Sequence, residues 1–253
     1  MSTSVQPQTL SNQSDASLQD RVVVIFGGTS GIGMAAGIQA KAAGAKVIVI
    51  GNDAARAEQA AKDNGFDQWL TADVTASDTI HAALKDIPHV DHLVLLAGTF
   101  VAGTVLAADV DYLHRAFDER IWAAVHAIRA LGERMAKNGS ITFISGALAD
   151  RPNANGTAVL AAASAAMEAL ARGLALELAP IRVNTLSPGL IETPMLHKVL
   201  GDARDTVLPA MRASTPTKRL GTAEEAGAGV VFLMANGWMN GATLNVDGGT
   251  RLV

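Results

Sequence analysis

From Arg21 onward, short apolar runs alternate with stretches whose apolar residues recur at helical spacing. The runs are VVVIF (22–26), KVIVI (46–50), HLVLLAG (92–98), SITFIS (140–145), IRVNTLS (181–187) and ATLNV (242–246), with a weaker strand over 66–71. Helical spacing covers 32–43, 53–64, 77–86, 109–137, 157–179 and 223–235. Short strands separated by helices predict βαβ units and a parallel α/β sheet. Right-handed crossovers then make a single doubly wound parallel sheet with helices on both faces.

Composition narrows this picture. The chain has 253 residues, 49% of them hydrophobic but only 4% aromatic, so Ala, Val and Leu must fill the core, as suits a sheet covered on both sides. One large domain, 18–253, accounts for the whole pattern. Residues 1–17 are rich in Ser, Thr and Gln and read as a flexible N-terminal arm. They lack the apolar segment of a secretory signal, and no uninterrupted apolar run elsewhere reaches spanning length, which predicts a cytoplasmic protein that contacts no membrane. A formal net charge of −4 offers no basic field for nucleic acid. With no cysteine there is no disulfide, thiolate metal site or thiol nucleophile. His81, His89 and His92 gather near one strand without a metal-ligand frame, so no metal is expected and packing roles are assigned to them. Trp122 and Trp238 read as core or interface anchors.

The first strand runs straight into Gly27-Gly28-Thr29-Ser30-Gly31-Ile32-Gly33 and then an Ala-rich helix. Glycines there permit a tight turn and let backbone N–H groups approach a pyrophosphate at a helix N-terminus. The G-x-x-x-G-x-G spacing, Asp73-Val74 after the third strand, Ala97-Gly98, "RVNTLSPGLIETP" (182–194), "RLGTAEE" (219–225) and "GATLNVDGG" (241–249) resemble the short-chain dehydrogenase/reductase family from Leu18 to the C-terminus. The resemblance implies a Rossmann fold binding a nicotinamide dinucleotide. Gly27, Thr29, Ser30, Gly31, Ile32 and Gly33 would hold the phosphates, and Asp73 and Val74 the adenine. Ala97, Gly98, Pro188, Gly189, Ile191 and Thr193 would surround the nicotinamide end. Gly51 stands where an NAD-type acid would end the second strand, while Asn52 and Arg56 can meet a 2′-phosphate, so NADP(H) is favoured over NAD(H).

In that family a Tyr transfers the proton, a Lys four residues on tunes it, a Ser holds the substrate oxygen and an Asn completes a relay. Counting back from the Arg-Val-Asn strand, the Tyr position falls on Leu160 and the Lys position on Ser164. The Ser falls on Gly146, beside Ser145, and the Asn on Arg120. The chain's single tyrosine is Tyr112, and no lysine lies between Lys137 and Lys198. Ser145, Arg120 and Ser164 remain as catalytic candidates. Arg120 offers a permanent cation for an anionic oxygen; its competing role is an ion pair with Asp118 or Glu119. The reading is therefore an oxidoreductase with a non-standard proton-transfer apparatus, acting on a small molecule such as an activated C=C or C=N compound. The alternative is an inactive dinucleotide-binding sensor or partner subunit. The resemblance also implies a homo-oligomer, dimer or tetramer, built on the helices at 109–137 and 157–179.

Overall fold

Runs of Val, Ile and Leu form the sheet because β-branched side chains pack well on a pleated surface buried on both faces. The structure is a computed structural model and describes residues 18–253; the arm expected at 1–17 lies outside them. The strands are β1 (Val22–Phe26), β2 (Lys46–Gly51), β3 (Gln68–Thr71), β4 (Val90–Leu95), β5 (Met135–Ile144), β6 (Arg182–Pro188), β7 (Ile191–Glu192), β8 (Gly221–Thr222) and β9 (Thr243–Val246). Seven of them make one parallel sheet in the order β3-β2-β1-β4-β5-β6-β9, and β7 pairs with β8 apart from it. The order reverses between β1 and β4, which opens a crevice at their carboxyl ends.

Helices α1 (Gly31–Ala42), α2 (Ala54–Asn64), α3 (Ser77–Leu84), α4 (Val110–Phe117), α5 (Ala123–Leu131), α6 (Ala158–Glu177), α7 (Pro194–Leu200), α8 (Arg204–Ser214) and α9 (Ala223–Ala235) fill the connections. Alternate strand residues point to opposite faces. Val24, Phe26, Ile141 and Phe143 pack under α3, α5 and α6. Val23, Ile25, Val94 and Leu186 pack with residues of α1 and α9. Helix α9 starts on a capping box, in which the Thr222 hydroxyl accepts from the Glu225 N–H and the Glu225 carboxylate accepts from the Thr222 N–H. Helix α6 is long and apolar enough to cross a membrane by length and composition alone. It carries Glu168 and Arg172 within that span and buries one face, with Leu160, Ser164, Met167 and Ala171.

Two expectations are corrected. The helix expected over 109–137 divides into α4, a π-helical turn at Asp118–Trp122, and α5, which stops at Leu131. Gly132 then adopts a positive φ, and the Arg134 guanidinium donates to the carbonyls of Ala130 and Leu131, of Leu84 at the end of α3, and of Ile87 beyond it. Residues 135–137 belong to β5, where Met135 pairs with Val90. Of the two roles expected for Trp122 and Trp238, the core one is corrected: they are 55% and 95% exposed. The structure also adds α7 and α8, which the hydrophobic pattern does not announce.

Candidate active site

The phosphate loop follows β1. Gly27 turns with φ +80°, and a Cβ there would stand 2.9 Å from the Ala97 N, so glycine brings this loop hard against the end of β4. A methyl on Gly33 would collide with the Gly27 carbonyl oxygen. Ser30 is the N-cap of α1 by position, yet its side chain makes no capping bond and the first turn contains no acid. The first-turn N–H groups are left to an anion, and the helix dipole favours one.

At the far end of β2, Asp53 caps α2 by accepting from the Arg56 N–H, and the Arg56 guanidinium donates to the Asn52 Oδ1 at 2.6 Å. A Cβ at Gly51 would lie 2.7 Å from the Thr29 Cγ2, so an acidic side chain there would have to displace Thr29. Asp73 accepts from the Thr75 N–H and hydroxyl, and these two bonds hold its carboxyl below the usual carboxylate range. Val74 is half-buried beside it.

Pro188, Gly189, Ile191 and Thr193 leave the end of β6 and cross toward α1. The Thr193 Cγ2 lies 3.3 Å from the point where a Cβ on Gly31 would stand. Thr193 is also the N-cap of α7, whose first residue is Pro194. The loops after β1, β4 and β6 thus converge over the crevice between β1 and β4.

The catalytic candidates come from α6, from the end of β5 and from the segment between α4 and α5. Leu160 and Ser164 are both buried on α6, one turn apart. Gly146 follows β5, and a Cβ there would meet only the Pro188 carbonyl oxygen, at 3.8 Å. Ser145 donates its hydroxyl hydrogen to the Glu168 Oε1 at 2.7 Å. No motif marks Glu168, although Leu160, Ser164 and Glu168 sit four residues apart and so share one helical face.

Arg120 lies in the π-helical turn. The wider turn re-aims both Glu119 and Arg120 inward. Glu119 is buried; it accepts from the Thr99 N–H and hydroxyl and from the Arg115 guanidinium. Arg120 pairs with neither Asp118 nor Glu119: it donates to the Thr99 carbonyl at 3.0 Å and, more weakly, to the Ala116 carbonyl at 3.4 Å. Its guanidinium packs 3.4 Å from where a Cβ on Gly98 would be. Burial pushes its pKa below the ordinary arginine value, an effect that the Glu119 charge partly opposes. Together with Phe26, Leu95, Ala97, Ile144 and Met167 it lines a cavity of about 10 Å³, the room of a single water.

A doubly wound parallel sheet with a glycine loop at its switch point defines a dinucleotide-binding type of domain. Comparison with known proteins places it more narrowly. The family model described as enoyl-(acyl carrier protein) reductase matches residues 27–251. The short-chain dehydrogenase/reductase ucsE of Acremonium sp. is 33% identical over 93% of this chain and 97% of its own. A small-chain dehydrogenase solved in complex with NADPH is 33% identical, with a TM-score of 0.80 over 93% of this chain and 100% of that one. A short chain oxidoreductase from Pseudomonas aeruginosa PAO1, described as containing an atypical catalytic center, is 25% identical, with a TM-score of 0.82 over 93% of this chain and 98% of that one. The chain belongs to the short-chain dehydrogenase/reductase family of oxidoreductases.

Proposed function

We propose that the protein is an NADP(H)-dependent oxidoreductase that works without the family's Tyr–Lys pair. The observation that carries this reading is the convergence of the Gly27–Gly33 loop and the Ile191–Thr193 loop over the β1–β4 crevice, with uncapped α1 N–H groups between them. Bound there, the dinucleotide supplies hydride. Thr29, Ser30, Gly31, Ile32 and Gly33 would hold the phosphates. Arg56, steadied by Asn52, would meet the 2′-phosphate, and the crowding of position 51 by Thr29 disfavours the carboxylate of an NAD-type site. The similar protein solved with NADPH agrees with this preference.

The wall facing the nicotinamide end supplies hydroxyls and one cation. Ser145, its proton directed to Glu168, is a better proton carrier than an unassisted hydroxyl, and Ser164 stands a turn below Glu168 on the same helix. Leu160 adds only bulk. Such a wall suits a substrate that needs little protonation at oxygen, an activated C=C or C=N bond. The similar oxidoreductase described with an atypical catalytic center is a precedent for departing from the usual set.

A second reading, a dinucleotide-binding protein that does not turn over, is favoured by the burial of apolar Leu160 and by the bare Gly146. Fluorescence titration followed by activity screening separates the two. NADPH should bind more tightly than NADH, and Arg56→Ala should cut that preference by about tenfold, the worth of one charge-assisted hydrogen bond. The native protein should reduce enones or imines. Gly146→Ser/Leu160→Tyr/Ser164→Lys should raise ketone reduction by about 10²-fold or more, since a general acid contributes about 10²–10⁴. Dinucleotide binding with turnover only in the triple variant establishes the second reading, and failure to bind either dinucleotide ends both.

A further inference from the structure

Arg120 is a cation without a counter-ion. Among the described residues no carboxylate lies within ion-pair distance of it, and the adjacent Glu119 is committed to Arg115 and Thr99. Two of the five N–H groups of its guanidinium are engaged, both by neutral peptide carbonyls. Arg120 is half-buried, and a charge so placed with only peptide carbonyls for partners is completed by an anion.

The position of Arg120 says which anion. Phosphate groups have their own ligands elsewhere in the crevice, at the α1 N-terminus and at Asn52 and Arg56. The cavity lined by Arg120 is instead bordered by Ile144, next to Ser145, and by Met167, next to Glu168. What places Arg120 at the crevice is its guanidinium, packed against Gly98 and beside Ala97 in the loop that follows β4. Leu160, Ser164, Gly146 and the Ser145–Glu168 pair bring no positive charge.

We infer that Arg120 is the electrophilic residue of this site and binds an oxyanion of the substrate, the oxygen on which negative charge gathers as a conjugated carbonyl compound is reduced at its C=C bond. This rests on the reading above of a dinucleotide-dependent reductase. In the step it serves, a hydride from the reduced nicotinamide adds to the β-carbon and the π electrons move to the carbonyl oxygen. The nicotinamide is oxidised, the resulting enolate oxygen lies against the guanidinium, and water then protonates the α-carbon. A positioned cation stabilises that developing charge without having to surrender a proton, which makes a phenol donor at position 160 dispensable. A guanidinium suits the task because it stays charged when buried.

The test reads ionisation as well as turnover. 4-Nitrophenol, whose phenolate mimics an enolate and absorbs apart from the phenol, is titrated against pH on the NADP⁺ complex of the wild type, Arg120→Met and Arg120→Lys. NADPH affinity and thermal melting are measured on all three. The expected result is a bound phenol that ionises at a pH at least one unit below the free compound in the wild type, part of that shift in Arg120→Lys, and none in Arg120→Met. NADPH affinity should change less than about threefold. Reduction of an enone should fall by about 10²-fold or more in Arg120→Met, the loss typical of removing one oxyanion donor.

An equal shift in wild type and Arg120→Met, no binding of the phenol, or an NADPH affinity that collapses in Arg120→Met would each overturn the assignment, the last by making Arg120 a phosphate ligand. Should Arg120→Met fail to fold, Arg120→Lys decides: the assignment requires a weakened ionisation shift with NADPH binding intact. A wild type that binds no dinucleotide overturns the reading beneath the assignment, and this outcome is distinct from the others because it appears before any variant is made.

Discussion

His92 shows how one buried residue sets the acid limit of the fold. It sits in β4 with 5% of its surface exposed, directly opposite Ser140 of β5, and the two side chains share a 2.8 Å hydrogen bond. Burial pushes its pKa from 6.5 down to about 4, and the nearby Arg182 adds to the effect. Between these values the unfolded chain binds a proton that the folded chain refuses, so stability falls as pH drops through this window. The loss accumulates to about 3 kcal/mol by pH 4, on the order of 1.4 kcal/mol per unit. Asp67, Asp73 and Asp91 act in a lower window. Burial raises the pKa values of Asp67 and Asp91, but hydrogen bonds and neighbouring cations outweigh it and hold all three beneath 3.8, so their contribution is present above that pH and fades only below it. Denaturant melts between pH 7 and 4 should show the slope in the wild type and a much flatter profile in His92→Leu/Ser140→Ala. An unchanged slope in the double variant would assign the effect elsewhere.

At the scale of the element, the β1–loop–α1 unit depends on absent side chains. Gly33→Ala places a methyl against the Gly27 carbonyl, within backbone that cannot yield without moving the loop away from Ala97. Overpacking of this kind costs about 1–3 kcal/mol, and here the movement also spoils the phosphate cradle. NADPH affinity should fall by at least tenfold with a lowered melting temperature; retained affinity would show that the loop is softer than its contacts imply. This unit was legible in the amino-acid pattern because a buried run, punctuating glycines and an Ala-rich helix all agree. The same holds for β2, α2, β6 and α9. Helices α7 and α8 were not: they are short, lie on the surface with Leu208 the one residue buried between them, and the second contains Pro209, which breaks the helical pattern. Residues 135–137 read as helix because local propensity favours it, whereas pairing of Met135 with Val90 draws them into the sheet. The inner wall was legible only in part. Its composition could be counted from the motifs, but the inward turn of Arg120 depends on a π-helical insertion that no periodicity announces, and Ser145 meets Glu168 only through folding.

For the molecule as a whole, the outer surfaces of two helical segments remain without a covering layer. Trp122 projects from the π-helical turn at 55% exposure, and α6 turns Ala162, Ala165 and Ala169 outward with Leu176, 83% exposed, further along. Leu252 and Val253 end the chain at 77% and 65% exposure. Small residues on a helix let a second helix approach closely, and large exposed apolar groups beside them are uncommon on a monomer. The proposed assembly is a homo-oligomer, most simply built from pairs of copies joined across α4–α5 and α6. A two-fold interface brings the same surface of each copy together, so one substitution acts twice. Ala165→Glu adds a side chain that water accommodates in the separated chain, yet it would put two carboxylates into the joined surface. Light scattering should give a multiple of the chain mass for the wild type and a smaller species for Ala165→Glu, with the melting of the separated chain little changed because position 165 is outside its core. A monomeric wild type would remove the interface altogether. An intact oligomer carrying Ala165→Glu would move it off α6, leaving Trp122 and the C-terminal Leu252-Val253 as the surfaces to substitute next.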